Sequence, residues 1–207
     1  MTITAIRPTK RGKIAVEADG EYLCAVHPDA WAKAGFSVGD EIGAEQMNAL
    51  SADSAYDEAK RKALSMLSAR SYTEKTLTRR LARTCGEEAA QRAADRMTEL
   101  GLLNDEDYAV RYAQELAENR GYAARRIRFE LRRRGLSREA ADAAIETLSD
   151  RDDLAAAVAL LRKKYRLLAT DADVRRAAAL LGRCGYDGDV IRTAIHALRR
   201  TGWEDND

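Results

Sequence analysis

Histidine and cysteine are almost missing from the chain, two and three of them in 207 residues. His27 and His196 stand far apart, and Cys24, Cys85 and Cys184 form no C-x-x-C pair. Neither a disulfide framework nor a zinc knuckle can be built from them. No run of about 18 apolar residues occurs, so no membrane span is expected. The opening residues, Met1-Thr-Ile-Thr-Ala-Ile-Arg7, hold no apolar stretch of signal-peptide length, and a cytoplasmic protein is expected. Neither sign of charge dominates: 35 Lys and Arg against 34 Asp and Glu leave a formal +1. That balance excludes a uniformly basic, DNA-coating protein, and any site for an anionic partner must be local.

Proline is equally scarce. Pro8 and Pro28 are the only two, and the rest of the chain is rich in Ala, Leu, Arg and Glu, all strong helix formers. The chain therefore divides into a short turn-rich head, residues 1–50, and a long helical body. In the head, Ile14–Ala18 and Glu21–Val26 flank Asp19-Gly20, the pattern of a hairpin with a type I′ turn. Thr2–Ile6 offers a third strand, Pro28–Ala34 one or two helical turns, and Gly35–Ile42 strand-like composition. About fifty residues make a marginal core, so the head should lean on the body. His27-Pro28-Asp29 spells the tripeptide of J-domain co-chaperones, but here it follows a strand and does not join two helices.

The body repeats. Leu81, Leu131 and Leu181 are spaced by 50, and Met97, Ile145 and Ile195 by 48 and 50, as are Leu100, Leu148 and Leu198. A period near fifty holds three helices of about 12–15 residues with their turns. The expected units are 51–101, 102–149 and 150–207, the last ending in an acidic tail. Helices are predicted at about 54–69, then after a Ser71-x-x-Glu74 capping box, and over Glu87–Leu100. The second unit runs from Asn104 to Asn119, over Ala123–Arg134, and from the Ser137 cap to Leu148. The third runs over about 150–165, 171–184 and 187–200, with Thr170 and Asp187 as caps and Gly185 as a stop. The fold class is mainly α: three tandem three-helix repeats forming an elongated curved body behind a small β-hairpin module. Such a shape serves binding along an extended surface.

Catalytic equipment is not visible. Carboxylates cluster at Asp105-Glu-Asp107, Asp150–Asp153 and Asp171/Asp173, and such groups can hold Mg²⁺ or Ca²⁺. All three clusters fall at helix N-termini, where negative charge complements the helix dipole, and the structural reading is preferred. No EF-hand, P-loop or G-x-S-x-G elbow occurs. No catalytic residue, cofactor or metal is expected.

The outstanding local feature is basic. Residues 120–138 hold eight arginines (120, 125, 126, 128, 132, 133, 134 and 138) against Glu130 alone, a local +7. Projected as a helix, Ala123, Ala124, Ile127 and Leu131 share one face, and Arg125, Arg128, Phe129 and Arg132 fall opposite. Arg126 and Arg133 form a flanking row. Phe129 either stacks on a base or docks a partner protein, or else it packs against the adjoining repeat. Helix two of the first repeat carries Arg79, Arg80 and Arg83, so the second helices are expected to present one basic stripe. Its contact residues would be Arg79, Arg80, Arg83, Arg125, Arg128, Phe129, Arg132 and Arg133.

Three segments in order carry a family resemblance. Ala63-Leu-Ser-Met-Leu-Ser-Ala-Arg70-Ser-Tyr-Thr-Glu-Lys-Thr-Leu-Thr-Arg-Arg-Leu81, Leu100-Gly-Leu-Leu-Asn-Asp105-Glu-Asp-Tyr108-Ala, and Arg120-Gly121 with Arg126-Ile127, Glu130-Leu131 and Gly135-Leu136 are similar to the signatures of the RecX family, bacterial regulators of the RecA recombinase. The likeness covers about 54–200. It implies a non-enzymatic, cytoplasmic, monomeric protein that lies along the groove of the RecA–DNA filament. It further implies inhibition of ATP hydrolysis and strand exchange, a place in homologous recombination, DNA repair and the SOS response, and weak binding of single- and double-stranded DNA. The competing classes are a helical-repeat nucleic-acid-binding protein acting without RecA and a scaffold with no DNA role.

Overall fold

The computed structural model describes residues 1–204, with side chains through Arg199. The acidic tail, 205–207, lies outside the described residues. The chain forms two compact units, Met1–Asn104 and a second from Asp105 onward.

The first unit opens with a three-stranded antiparallel meander, β1 (Ile3–Pro8), β2 (Ile14–Ala18) and β3 (Glu21–Val26), in the order β1-β2-β3. Asp19 and Gly20 both take positive φ, 51° and 84°, as the type I′ turn requires. Behind it come α1 (Pro28–Ala34), α2 (Ala44–Ala69), α3 (Glu74–Cys85) and α4 (Glu87–Glu99). The segment expected to return to strand at 35–42 does not. Gly35 and Gly39 adopt positive φ, and only one bridge, Thr2 to Glu41, survives. The loop instead covers the outer edge of β1: the Ile3 amide donates to the Asp40 carbonyl and the Gly39 amide to the Ile3 carbonyl. That satisfies an edge that would otherwise invite pairing with another chain.

The helix expected over 54–69 begins ten residues earlier, at Ala44, and runs through residue 50 without a break. Its start is set by Gln46, whose side-chain oxygen accepts from the Gly43 amide at 2.8 Å. Along its 26 residues α2 serves two cores in succession. Leu50 and Met47 pack with Ile3, Val16, Val26, Trp31 and Ile42 of the head, and Ala59 and Ala63 pack with Leu77, Leu81 and Met97 of the first three-helix group. Polar links fasten the head to the same helix. The His27 amide donates to Ser54 Oγ at 2.7 Å, and the buried Asp57 carboxylate receives Lys33 at 3.4 Å and Lys60 at 3.1 Å. Glu58 meets Lys13 from the head and Lys62 from its own helix, both at 2.7 Å.

Helix α3 starts on a Thr73 cap, not on Ser71: Thr73 Oγ1 accepts from the Thr76 amide. Thr73 is buried, and its hydroxyl is fixed by this short-range bond, which a sequence scan for S-x-x-E does not weigh.

The second unit holds two further three-helix groups, α5 (Asp105–Arg120), α6 (Ala124–Arg133) and α7 (Arg138–Glu146), then α8 (Asp153–Lys164), α9 (Asp171–Cys184) and α10 (Gly188–Glu204). Ser137 caps α7, and Thr170 with Asp173 forms a full capping box on α9. The fold is thus mainly α, with three three-helix groups behind a small sheet. The period is visible in burial: Leu81, Leu131 and Leu181 are all buried at equivalent core sites. The leucine series 100, 148, 198 is not equivalent, because Leu100 is 48% exposed whereas Leu198 is buried. The Asp105-Glu-Asp107 and Asp171/Asp173 clusters occupy first helical turns, and Asp152 is itself the N-cap of α8. Among the described residues no His, Cys, Asp and Glu group is placed to hold a metal ion, and no helix is long and apolar enough to cross a membrane.

Glu58 supplies a pH test. Hydrogen bonds from Lys13 and Lys62 hold its carboxyl down from 4.5 to about 2. A depressed folded-state pKa stabilises fully above the ordinary value and is lost as pH falls through the folded one. Glu58→Gln should therefore lower stability at neutral pH by about 1 kcal/mol, the scale of a half-exposed ion pair. In thermal melts, the gap from wild type should stay constant above about pH 5 and close toward pH 2.

Candidate nucleic-acid and filament interface

Helix α6 has two faces of opposite character. Ile127 and Leu131 are fully buried, while Arg125, Arg128, Phe129 and Arg132 are exposed, as the projection predicts. Phe129 is 54% exposed, so it does not pack into a neighbouring helix group of its unit. Its partner is Arg126, whose guanidinium lies over the Phe129 ring at 5.2 Å and the Tyr122 ring at 5.5 Å.

The run of arginines is not a bare +7. Glu130 is buried, and it pairs with Arg126 at 2.6 Å and Arg133 at 2.8 Å. A carboxylate removed from water needs such partners, and one buried acid between two flanking arginines supplies that. Asp142 on α7 takes Arg128 at 2.6 Å and Arg138 at 3.5 Å; these arginines, Arg128 foremost, hold its carboxyl below the usual range. Arg132 donates to the Leu136 carbonyl at 3.0 Å past the end of α6, and Arg134 donates to the hydroxyls of Tyr108 and Tyr112. Among the described residues, Arg125 and Arg120 make no ion pair and no hydrogen bond. The exposed face of α6 is thus an aromatic ring and one free cation set among arginines that are already anchored.

In the first unit, α3 buries Leu77 and Leu81 and exposes Arg79, Arg80 and Arg83. Arg80 lies over the Tyr72 ring at 5.6 Å, and Arg70 covers the same ring at 4.6 Å. Arg79 and Arg83 have no ion-pair or hydrogen-bond partner among the described residues. The eight candidate residues therefore fall into two groups on different units, Arg79, Arg80 and Arg83 on α3 and the other five on α6.

A backbone joint fixes the start of α6. The Ala123 amide donates to the Cys184 carbonyl at 2.9 Å, and the buried Tyr186 hydroxyl donates to the Gly121 carbonyl at 3.0 Å. Arg151 donates to the Tyr122 carbonyl at 2.6 Å and to the Tyr186 hydroxyl at 3.2 Å. Burial raises the Tyr186 pKa, which keeps the hydroxyl protonated as a donor. Gly185, at φ +93°, lets the chains approach: a Cβ there would stand 2.6 Å from the Arg126 amide nitrogen. Clustering along the sequence found α6 but not Lys163, Lys164 and Arg183, which the fold brings beside Arg120 and Arg126 around one cavity. They are separated by up to 63 positions, so no window of sequence contains them.

Three-helix groups in series with a cationic second helix define an α-helical repeat protein. A family model described as RecX, second three-helix domain, matches residues 104–145, the stretch of α5, α6 and nearly all of α7. Regulatory protein RecX of Trichlorobacter lovleyi is 35% identical over 136 residues, covering 63% of this chain and 88% of its own length. That of Stenotrophomonas maltophilia is 38% identical over 136 residues, covering 64% and 82%. The crystal structure of a regulatory protein RecX matches with a TM-score of 0.68 at 20% identity, covering 95% of this chain and 98% of that one. RecX from Lactobacillus salivarius matches at 0.60 and 22% identity, covering 70% and 96%. The two structures share the fold. The chain belongs to the RecX family of regulatory proteins.

Two substitutions separate the surface from its support. Phe129→Ala should change stability by no more than about 0.5 kcal/mol, whereas Leu131→Ala, two residues on, should cost about 2–5 kcal/mol. Gly185→Ala should cost at least about 2 kcal/mol, since a left-handed conformation and a backbone clash both oppose the methyl group. Urea unfolding of the three variants reads all of these differences.

Proposed function

We propose that this protein binds RecA–DNA filaments along their groove and lowers RecA ATPase and strand-exchange activity in recombination and DNA repair. The observation that carries the reading is the outward face of α6, where Phe129 is exposed beside the unpaired Arg125 while Ile127 and Leu131 hold the helix in place. Aromatic and arginine side chains are the residues that dominate binding hot spots. Arg79, Arg80 and Arg83 on α3 add a second cationic face toward an anionic partner. Membership of a family of regulatory proteins supports a regulator over an enzyme. On this reading the protein acts in the cytoplasm, as a monomer and without cofactor, and DNA contributes weakly to its attachment.

RecA's DNA-dependent ATPase, measured while the protein is titrated in, should fall at less than one molecule per recombinase subunit. The double variant Arg125→Glu/Phe129→Ala should need about tenfold more protein for the same effect, because a reversed charge and a lost ring both act at the contact. An ATPase unchanged at equimolar protein removes RecA from the reading and leaves a nucleic-acid-binding repeat protein acting alone.

A further inference from the structure

A cavity of about 570 Å³ opens within the second unit where the C-terminal ends of α5, α8 and α9 meet the first turn of α6. Five cations line it: Arg120, Arg126, Lys163, Lys164 and Arg183. No acid lines it. Arg126 pairs with Glu130, but the other four make no ion pair among the described residues. Lys163 also borders a neighbouring cavity with Glu118 and Asp150, without pairing to either.

The ordinary account of cations at helix C-termini is the macrodipole, roughly −0.5 of a charge at each end. Three helix ends offset about one and a half of the four free charges, so a surplus of about two or more remains focused in one concavity. That surplus reaches the buried Cys184 thiol in the wall: Arg183, Lys164 and Arg126 each oppose the rise in its pKa that burial causes.

We propose that this cavity seats a phosphodiester group of a single nucleic-acid strand, with the neighbouring base on the exposed Phe129 ring. The cations supply the phosphate seat. Tyr122 and Arg126 line the cavity, and Arg126 spans from the Tyr122 ring to the Phe129 ring. A path of alternating ring and guanidinium therefore leads from the phosphate seat to the outward face of α6. Cationic grooves joined to stacking platforms bind single strands with little regard to sequence. A strand fills both seats, whereas a free nucleotide fills only the first. The proposal does not depend on the recombinase.

The test is direct binding of a fluorescent oligo-dT 20-mer to the full chain at low salt, without RecA. Lys163→Glu/Lys164→Glu should weaken binding about tenfold or more and reduce the slope of log affinity against log salt by about 1.4, the ~0.7 expected for each lost contact on a single strand. The control Arg162→Glu/Arg175→Glu makes the same change of charge on α8 and α9 outside the cavity, and should stay within about twofold of wild type. Lys163→Ala/Lys164→Ala repeats the test if the reversed charges disturb the melting curve. Equal losses in cavity and control variants, wild-type affinity in the cavity variants, or no binding of the 20-mer by the wild type would each overturn the proposal. So would a labelled ATP that binds the wild type and is lost in the cavity variants while the 20-mer is held unchanged, since the cavity would then serve a free nucleotide. Because RecA is absent, failure of the filament reading leaves these outcomes unaffected.

Discussion

The second unit depends on one close approach between two stretches of backbone. Cys184 gives its carbonyl to the Ala123 amide, and Gly185 leaves room for the Arg126 backbone where no other residue could. Tyr186 and Arg151 then tie down the carbonyls of Gly121 and Tyr122. Because these bonds are made by main chain and by buried or half-buried side chains, they set where α6 begins and how it is rotated. The outward position of Phe129 and the inward position of Arg126 follow from that rotation. A joint made of polar bonds also fixes direction, which a purely apolar seam does less well.

Between the helices themselves the packing is mostly alanine. Ala89, Ala90, Ala93 and Ala94 on α4 and Ala109, Ala113 and Ala117 on α5 are all buried. Small side chains let helices come close but bury little apolar area, so a single three-helix group has a thin core. The larger residues, Leu77, Leu81, Met97, Ile127, Leu131, Leu161 and Leu181, are few and central. The outward faces are consequently left to charge, and the protein can keep a dense cationic surface because its interior geometry is held by a handful of side chains.

Much of this was legible in the sequence. The 50-residue spacing of Leu81, Leu131 and Leu181, the glycine stops and the Ser137 and Thr170 caps located the helices, because local bonding decides those ends. The strand proposed over 35–42 and the Ser71 cap failed where a tertiary partner or a neighbouring threonine won over composition. The start of α2 was missed because a Gly43–Gln46 interaction is a weaker signal than a serine or aspartate cap. On α6 the projection separated buried from exposed residues except at Ala124, which it placed inward and which is exposed at the first turn of the helix. The charge sum over 120–138 did not describe the helix, since Asp142 lies just beyond the window and Arg132 and Arg134 are engaged by a carbonyl and two tyrosines. The Lys163, Lys164 and Arg183 cluster exists only in three dimensions.

The single helix shared by two cores fixes the order in which the protein can be made. Chain leaves the ribosome from the N-terminus, and domains generally fold as they emerge. The β1-β2-β3 sheet is complete by Val26, yet its apolar face is closed by Ile42, Met47 and Leu50, and its polar fastenings are Ser54, Asp57 and Glu58. The sheet must therefore wait for thirty further residues of synthesis before it can lock. The next residues of α2 to emerge include Ala59 and Ala63, the seam on which the first helical repeat is assembled.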